Sequence, residues 1–153
     1  MSHNPYATPL SDVSGAEDKP VRLYSPVQAA FGVFLGGPAA LVYFLRENFV
    51  SLGNERLAKN TLIYGAALFL ALIVVLPILP DNFPNLPFTI VFVFTAHYFV
   101  GSYQVTKQVI IESPKYEFHS NWRVFGFGLL CLIVSALLIV GPMAGLVALG
   151  IIE

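Results

Sequence analysis

Of the side chains able to do acid–base or ligand chemistry, His97 stands where an ionisable group is hardest to accommodate. It lies near the middle of an uncharged stretch, residues 82–106. An ionisable residue inside a membrane is expensive enough to be a functional candidate. At helical spacing, Thr89, Val93, His97, Gly101 and Gln104 fall along one stripe. That stripe is small and polar, so it is expected to face other helices. His97, Thr89 and Gln104 are therefore the candidate intramembrane polar site, suited to a proton relay or a substrate contact. The blander reading is a histidine hydrogen-bonded to a neighbouring helix, which holds the bundle together.

Little else in the sequence has the form of a reaction centre. His3 and His119 stand in no spacing relation to His97, so no metal site is expected. The sequence contains no Gly-x-Ser-x-Gly frame and no His-Glu-x-x-His. Cys131 lies in an apolar run without a nearby base and reads as a small packed residue. No catalytic residue, cofactor or enzymatic activity is expected. The net charge of −1 supplies no basic field, so nucleic acid is not an expected partner.

The elements that must position these residues are set by solvent. Apolar residues make up 56% of the 153-residue chain and charged residues 11%; soluble domains carry about 25% charged residues. Such a surface calls for lipid. Four charge-free stretches, residues 26–45, 60–80, 82–106 and 124–152, form the cores of four hydrophobic segments at about residues 26–49, 60–80, 86–106 and 122–150. Crossing the hydrocarbon takes about 20 helical residues, and backbone pairing in lipid requires helices. The expected fold is all-α, a polytopic helical membrane bundle of four hydrophobic segments occupying residues 26–153. Residues 1–25 are polar and carry Pro5, Pro9, Pro20 and the pair Glu17-Asp18; they read as a disordered tail.

The first segment is broken at its centre by Gly36, Gly37 and Pro38. Pro38 cannot donate a backbone hydrogen bond, and the glycines remove local stiffness. Each half is about ten residues, roughly 15 Å of helix, half the hydrocarbon thickness. Segment one is thus either a kinked span or a re-entrant helical hairpin. Gly141 and Pro142 mark a related helix-break or packing position in segment four, which is longer than one span needs; a kinked helix, or a helix followed by an interfacial piece, would use the excess. Residues 81–87 form a short turn. Residues 107–123 form the longest loop, with Ser120 placed to cap the following helix. Trp122, Phe125 and Phe127 read as interfacial aromatics.

Basic residues favour the cytoplasmic side. They occur at positions 46–59 and 107–123, whereas residues 81–87 and the C-terminus have none. The first two loops are therefore expected inside and the third outside. A fully spanning segment one puts six basic residues in and two out; a re-entrant one puts all eight in, and the second count favours the hairpin. Arg46, Glu47, Asn48, Arg56 and Lys59 form a candidate cytoplasmic contact surface, either for a partner or for lipid headgroups.

Asn4-Pro5-Tyr6-Ala7-Thr8-Pro9 at the start resembles the short leader of many uncharacterised bacterial multipass proteins. Tyr24-Ser25-Pro26, Phe34-Leu35-Gly36-Gly37-Pro38-Ala39 and Leu45-Arg46-Glu47-Asn48-Phe49 resemble a group of small bacterial inner-membrane proteins of unknown function. The resemblance covers roughly residues 4–53. It implies a bacterial inner-membrane location and adds no mechanism. The leading expectation is a non-enzymatic accessory, anchoring or interaction component, with the lipid bilayer and a membrane-protein partner or a second copy as its contacts. The rivals are a small oligomeric transporter or channel using His97 and the Gly-Gly-Pro break, and an immunity protein against a membrane-active toxin.

Overall fold

A computed structural model gives the structure of the chain and describes residues 20–80, 82–104 and 106–150. The elements run in the order β1 (Val21–Leu23), α1 (Pro26–Ser51), α2 (Glu55–Val75), α3 (Leu86–Tyr103), α4 (Lys107–Glu112), β2 (Tyr116–Phe118) and α5 (Asn121–Ala148). A short 3₁₀ turn, Leu76–Ile78, extends α2. Four helices (α1, α2 with its 3₁₀ extension, α3 and α5) are long and apolar enough to cross a membrane. The chain is a helical membrane bundle whose departure from all-α, among the described residues, is one two-stranded parallel sheet, with Val21 opposite Tyr116 and Leu23 opposite Phe118.

The break in segment one folds α1 back on itself. Gly37 has φ 63° and ψ −145°, a backbone conformation open in practice to glycine alone. Pro38, with no N–H to satisfy, starts the second arm. The consequence is visible at the far ends. The Tyr24 N–H donates to Asn48 Oδ1 at 2.8 Å, and Asn48 Nδ2 donates back to the Tyr24 carbonyl at 2.8 Å. In a straight helix, residues 24 positions apart would be about 36 Å apart. Segment one is a helical hairpin, with arms of about 16 Å (residues 26–36) and 21 Å (residues 38–51) at 1.5 Å per residue. Neither arm is as long as the hydrocarbon core is thick, so the length of α1 alone overstates its reach.

The hairpin is the core of the molecule, and α2, α3 and α5 pack around it. Phe44 and Val33 from its two arms are fully buried, as are Ala96 and Val100 of α3 and Val124 of α5. Glycines set the closest approaches. A Cβ on Gly36 would lie 2.5 Å from the Gly128 carbonyl oxygen of α5, and one on Gly32 would lie 2.1 Å from the Phe44 ring of the other arm. Small residues at such crossings let backbones touch, which is how helices gain packing in lipid.

Two sequence expectations are corrected here. Gly141 and Pro142 do not break segment four; α5 runs as one helix through both. Proline costs a helix one hydrogen bond, and here no hairpin partner takes up a bend, so the likeness to Gly36-Gly37-Pro38 ends at composition. The polar N-terminal stretch is also shorter than its composition implied. Residues 1–19 lie outside the described residues, but Val21–Leu23 pair in the sheet and Tyr24 is fully buried. Ser25 then caps α1 in a capping box, its hydroxyl accepting from the Gln28 N–H while Gln28 Oε1 accepts from the Ser25 N–H.

Candidate functional site

Each end of the hairpin is held by polar side chains. At the tip, the turn leaves backbone groups of Gly36 and Ala39 without helical partners. Ser135, halfway along α5, supplies both. Its Oγ donates to the Gly36 carbonyl at 2.7 Å and accepts from the Ala39 N–H at 3.1 Å. Irregular backbone at membrane depth is tolerated where protein satisfies it, and Ser135, 6% exposed, does so here.

At the mouth, a larger network joins four elements. Asn48, 1% exposed, also donates to Gln104 Oε1 at 2.7 Å, and Gln104 donates to the Leu45 carbonyl at 3.0 Å. This fastens the end of α3 to the hairpin. Arg123 at the start of α5 donates to the Tyr24 hydroxyl at 3.0 Å, stands 3.7 Å from the Glu47 carboxylate and lies over the Phe127 ring. Tyr43 stacks on Phe127 from the other side of the crossing, with ring centroids 4.9 Å apart. The His119 ring covers Tyr24 at 4.2 Å between centroids. Burial, with Arg123 and then Arg22 nearby, pushes the His119 imidazole down to about 4.

The expected intramembrane stripe does not stay together. Gln104 turns inward to the mouth network. Thr89 borders a cavity of about 220 Å³ at the hairpin tip, beside Gly37, Pro38 and Leu72. His97 faces out of the bundle. Ala96 and Val100 occupy the buried face of α3, and a residue one position from either is rotated by 100°. Among the described residues the His97 ring has no hydrogen-bond partner, and it lines none of the main cavities. The expectation that this stripe packs against other helices of the chain therefore fails at His97 itself.

The expected contact surface also divides. Arg56 and Lys59 are exposed on the first turns of α2 and Arg46 is half-buried. Glu47 is drawn toward Arg123, and Asn48 is structural. Between α2 and α3 lies a largely apolar cavity of about 460 Å³, floored by Leu41, Leu45 and Phe49 and walled by Tyr64, Leu68 and Phe99. No group of three His, Cys, Asp or Glu residues able to hold a metal ion occurs among the described residues. Cys131 is buried against the hairpin.

Sequence reading missed Ser135, Tyr24, Gln28 and His119. Ser135 carried a faint signal as a hydroxyl in a long apolar run; the others were placed in the tail, an apolar segment or a loop. In comparisons with protein-family models, curated proteins and solved structures, nothing matches this chain.

Proposed function

We propose that this protein is a non-enzymatic component of the bacterial inner membrane, an accessory subunit that docks a transmembrane helix of another membrane protein on the outer face of α3. The observation that carries this reading is the outward His97, without a hydrogen-bond partner among the described residues. An imidazole always brings at least one polar nitrogen needing a partner. His97 stands six residues, about 9 Å, inside the Tyr103 end of the helix, too deep for its short side chain to reach water along the surface. Left against lipid it costs about 1–3 kcal/mol if neutral and about 2.5–3.5 kcal/mol at mid-membrane if charged. A hydrogen bond from a facing helix removes that cost. Phe94 and Tyr98, both exposed, flank it and supply apolar contact.

The orientation follows from charge. Apart from Lys19, the basic residues Arg22, Arg46, Arg56, Lys59, Lys107, Lys115 and Arg123 all belong to segments at the mouth end of the bundle, and residues 76–85 contain none. The mouth is then cytoplasmic, and the hairpin enters and leaves the membrane from that side. The transport reading finds less support, since His97 and the Gly36-Gly37-Pro38 turn border no common main cavity among the described residues.

A photo-reactive residue at Phe94 tests the docking. It should cross-link one protein at fixed stoichiometry, the same residue at Leu70 on the outer face of α2 should not, and His97→Ala should cut the yield several-fold. Cross-links to lipid alone, or yields indifferent to His97, would refute an accessory role through α3; cross-links to a second copy would replace it by self-association.

A further inference from the structure

Beside the mouth network lies a pocket of about 430 Å³ lined by Ser25, Gln28, Lys107, His119, Ser120 and Asn121, with Val27 and Phe118 as its apolar members. Three properties set its chemistry. First, it receives the N-terminus of α5, a 28-residue helix that lacks both a side-chain cap and an acidic residue in its first turn. Ser120 holds the N-cap position, yet its hydroxyl makes no capping bond; the Arg123 and Val124 N–H groups return to the Ser120 carbonyl, while those of Asn121 and Trp122 find no acceptor among the described residues. The positive end of the helix dipole therefore opens into the pocket. Second, His119 lines it while only 8% exposed, and its ring has no hydrogen-bond partner among the described residues. The backbone of His119 is fixed instead, its N–H donating to the Leu23 carbonyl at 3.1 Å and its carbonyl accepting from Gln28 Nε2 at 2.8 Å. Third, Lys107 is its charged member, and no carboxylate lines it. The acceptor that Asn121 offers, Oδ1, is already taken by Gln28 Nε2 at 2.8 Å. The donors left over at the pocket are the Lys107 ammonium, the Ser120 hydroxyl, the Asn121 side-chain amide, the first N–H groups of α5 and one His119 ring nitrogen.

We infer that this pocket binds the phosphate of an anionic membrane phospholipid. Phosphate offers the several acceptor oxygens that backbone N–H groups, an ammonium and an imidazole can share. The choice of a lipid over free phosphate rests on the adjoining surface. Asn121 is shared with a second cleft formed with Trp122 and Phe125, both exposed, which leads from the pocket onto the lipid-facing side of α5. A headgroup held at Lys107 and the α5 N-terminus would lay its acyl chains along those two rings. Trp122 marks the interfacial level at which headgroups lie.

The chain's one tryptophan, Trp122, is also the reporter. The full-length protein is placed in phosphatidylcholine nanodiscs. Phosphatidic acid or phosphatidylcholine with brominated chains is titrated in, and Trp122 quenching gives the relative affinity of the two. Phosphatidic acid should be preferred, and Lys107→Gln should cut the preference roughly fivefold, the factor that about 1 kcal/mol per basic side chain near a membrane gives. Lys59→Gln, which removes a basic residue from the same end outside the pocket, should leave it unchanged. Ser120→Asp provides a variant with opposed effects: a carboxylate at the N-cap should raise the melting temperature while abolishing the preference. Equal quenching by the two lipids, equal losses in the Lys107 and Lys59 variants, or a preference that survives Ser120→Asp would overturn the site. Inorganic phosphate that removes the preference at millimolar concentration would overturn the lipid as its occupant.

Discussion

Replacing Ser135 by alanine removes one oxygen and should undo the centre of the fold. That oxygen donates to the Gly36 carbonyl and accepts from the Ala39 N–H. Both groups lie at the hairpin turn, where Pro38 offers no N–H and Gly37 has left the helix. An interhelical hydrogen bond in a membrane protein measures about 0.6 kcal/mol on average, because lost partners are usually replaced. Replacement is blocked here: Gly36 is pressed against Gly128 and Cys131, and Ala39 is buried. A buried group left unpaired costs about 1–3 kcal/mol, and two are exposed to that cost. Ser135→Ala should therefore destabilise by about 2–4 kcal/mol, well above the membrane average. The assay is reversible unfolding by sodium dodecyl sulfate in mixed micelles, followed by Trp122 fluorescence. Thr95→Ala is the control, since that hydroxyl bonds only the Val91 carbonyl of its own helix at 2.7 Å; it should change stability by less than about 0.5 kcal/mol. A Ser135→Ala loss no larger than that of Thr95→Ala would refute the claim that Ser135 satisfies the turn.

Gly37→Ala should cost about 1–3 kcal/mol from backbone strain alone, because its added Cβ would meet nothing closer than 3.6 Å; the same unfolding assay measures it, and a neutral result would mean that the turn is not left-handed. Asn48→Leu should cost about 2–4 kcal/mol by orphaning both Tyr24 backbone groups, and should raise amide exchange at Tyr24. Stability should also fall in acid through His119. Its folded value of about 4 lies below the ordinary 6.5, so the unfolded chain binds more protons between those values. The contribution is whole above about pH 6.5 and is lost as pH drops toward 4. Melting temperatures at pH 7.5 and 4.5 should show that drop, and His119→Gln should flatten it.

The membrane bundle was legible because lipid imposes simple demands on composition and length. The hairpin was half legible: Gly36-Gly37-Pro38 announced a break, and the basic residues favoured one side, but a kinked span has the same local sequence. What decides between them is contact between residues 24 positions apart, Tyr24 and Asn48, which no local pattern encodes. Helical spacing placed His97 and Gln104 on one stripe, yet Gln104, at the end of α3, turns to the mouth while His97 follows the regular helix outward. Pro142 was misread for a related reason. Proline marks where a helix can break, and the surroundings decide whether it does; Pro38 has Ser135 to receive the freed groups, and α5 simply continues past Pro142. The Val21–Leu23 strand escaped notice because three residues of a polar stretch gain order only by pairing with Tyr116–Phe118, far along the chain.

The hairpin requires α1 to enter and leave the membrane on one side, and cysteine accessibility tests this directly. Single cysteines at Pro20, Lys115 and Asn82 are introduced in a Cys131→Ala background and probed with a membrane-impermeant maleimide. The hairpin predicts that Pro20→Cys and Lys115→Cys share one side, protected in intact cells and labelled in inverted vesicles, while Asn82→Cys shows the reverse. Labelling of Pro20→Cys together with Asn82→Cys in intact cells would contradict the hairpin and restore segment one as a full span.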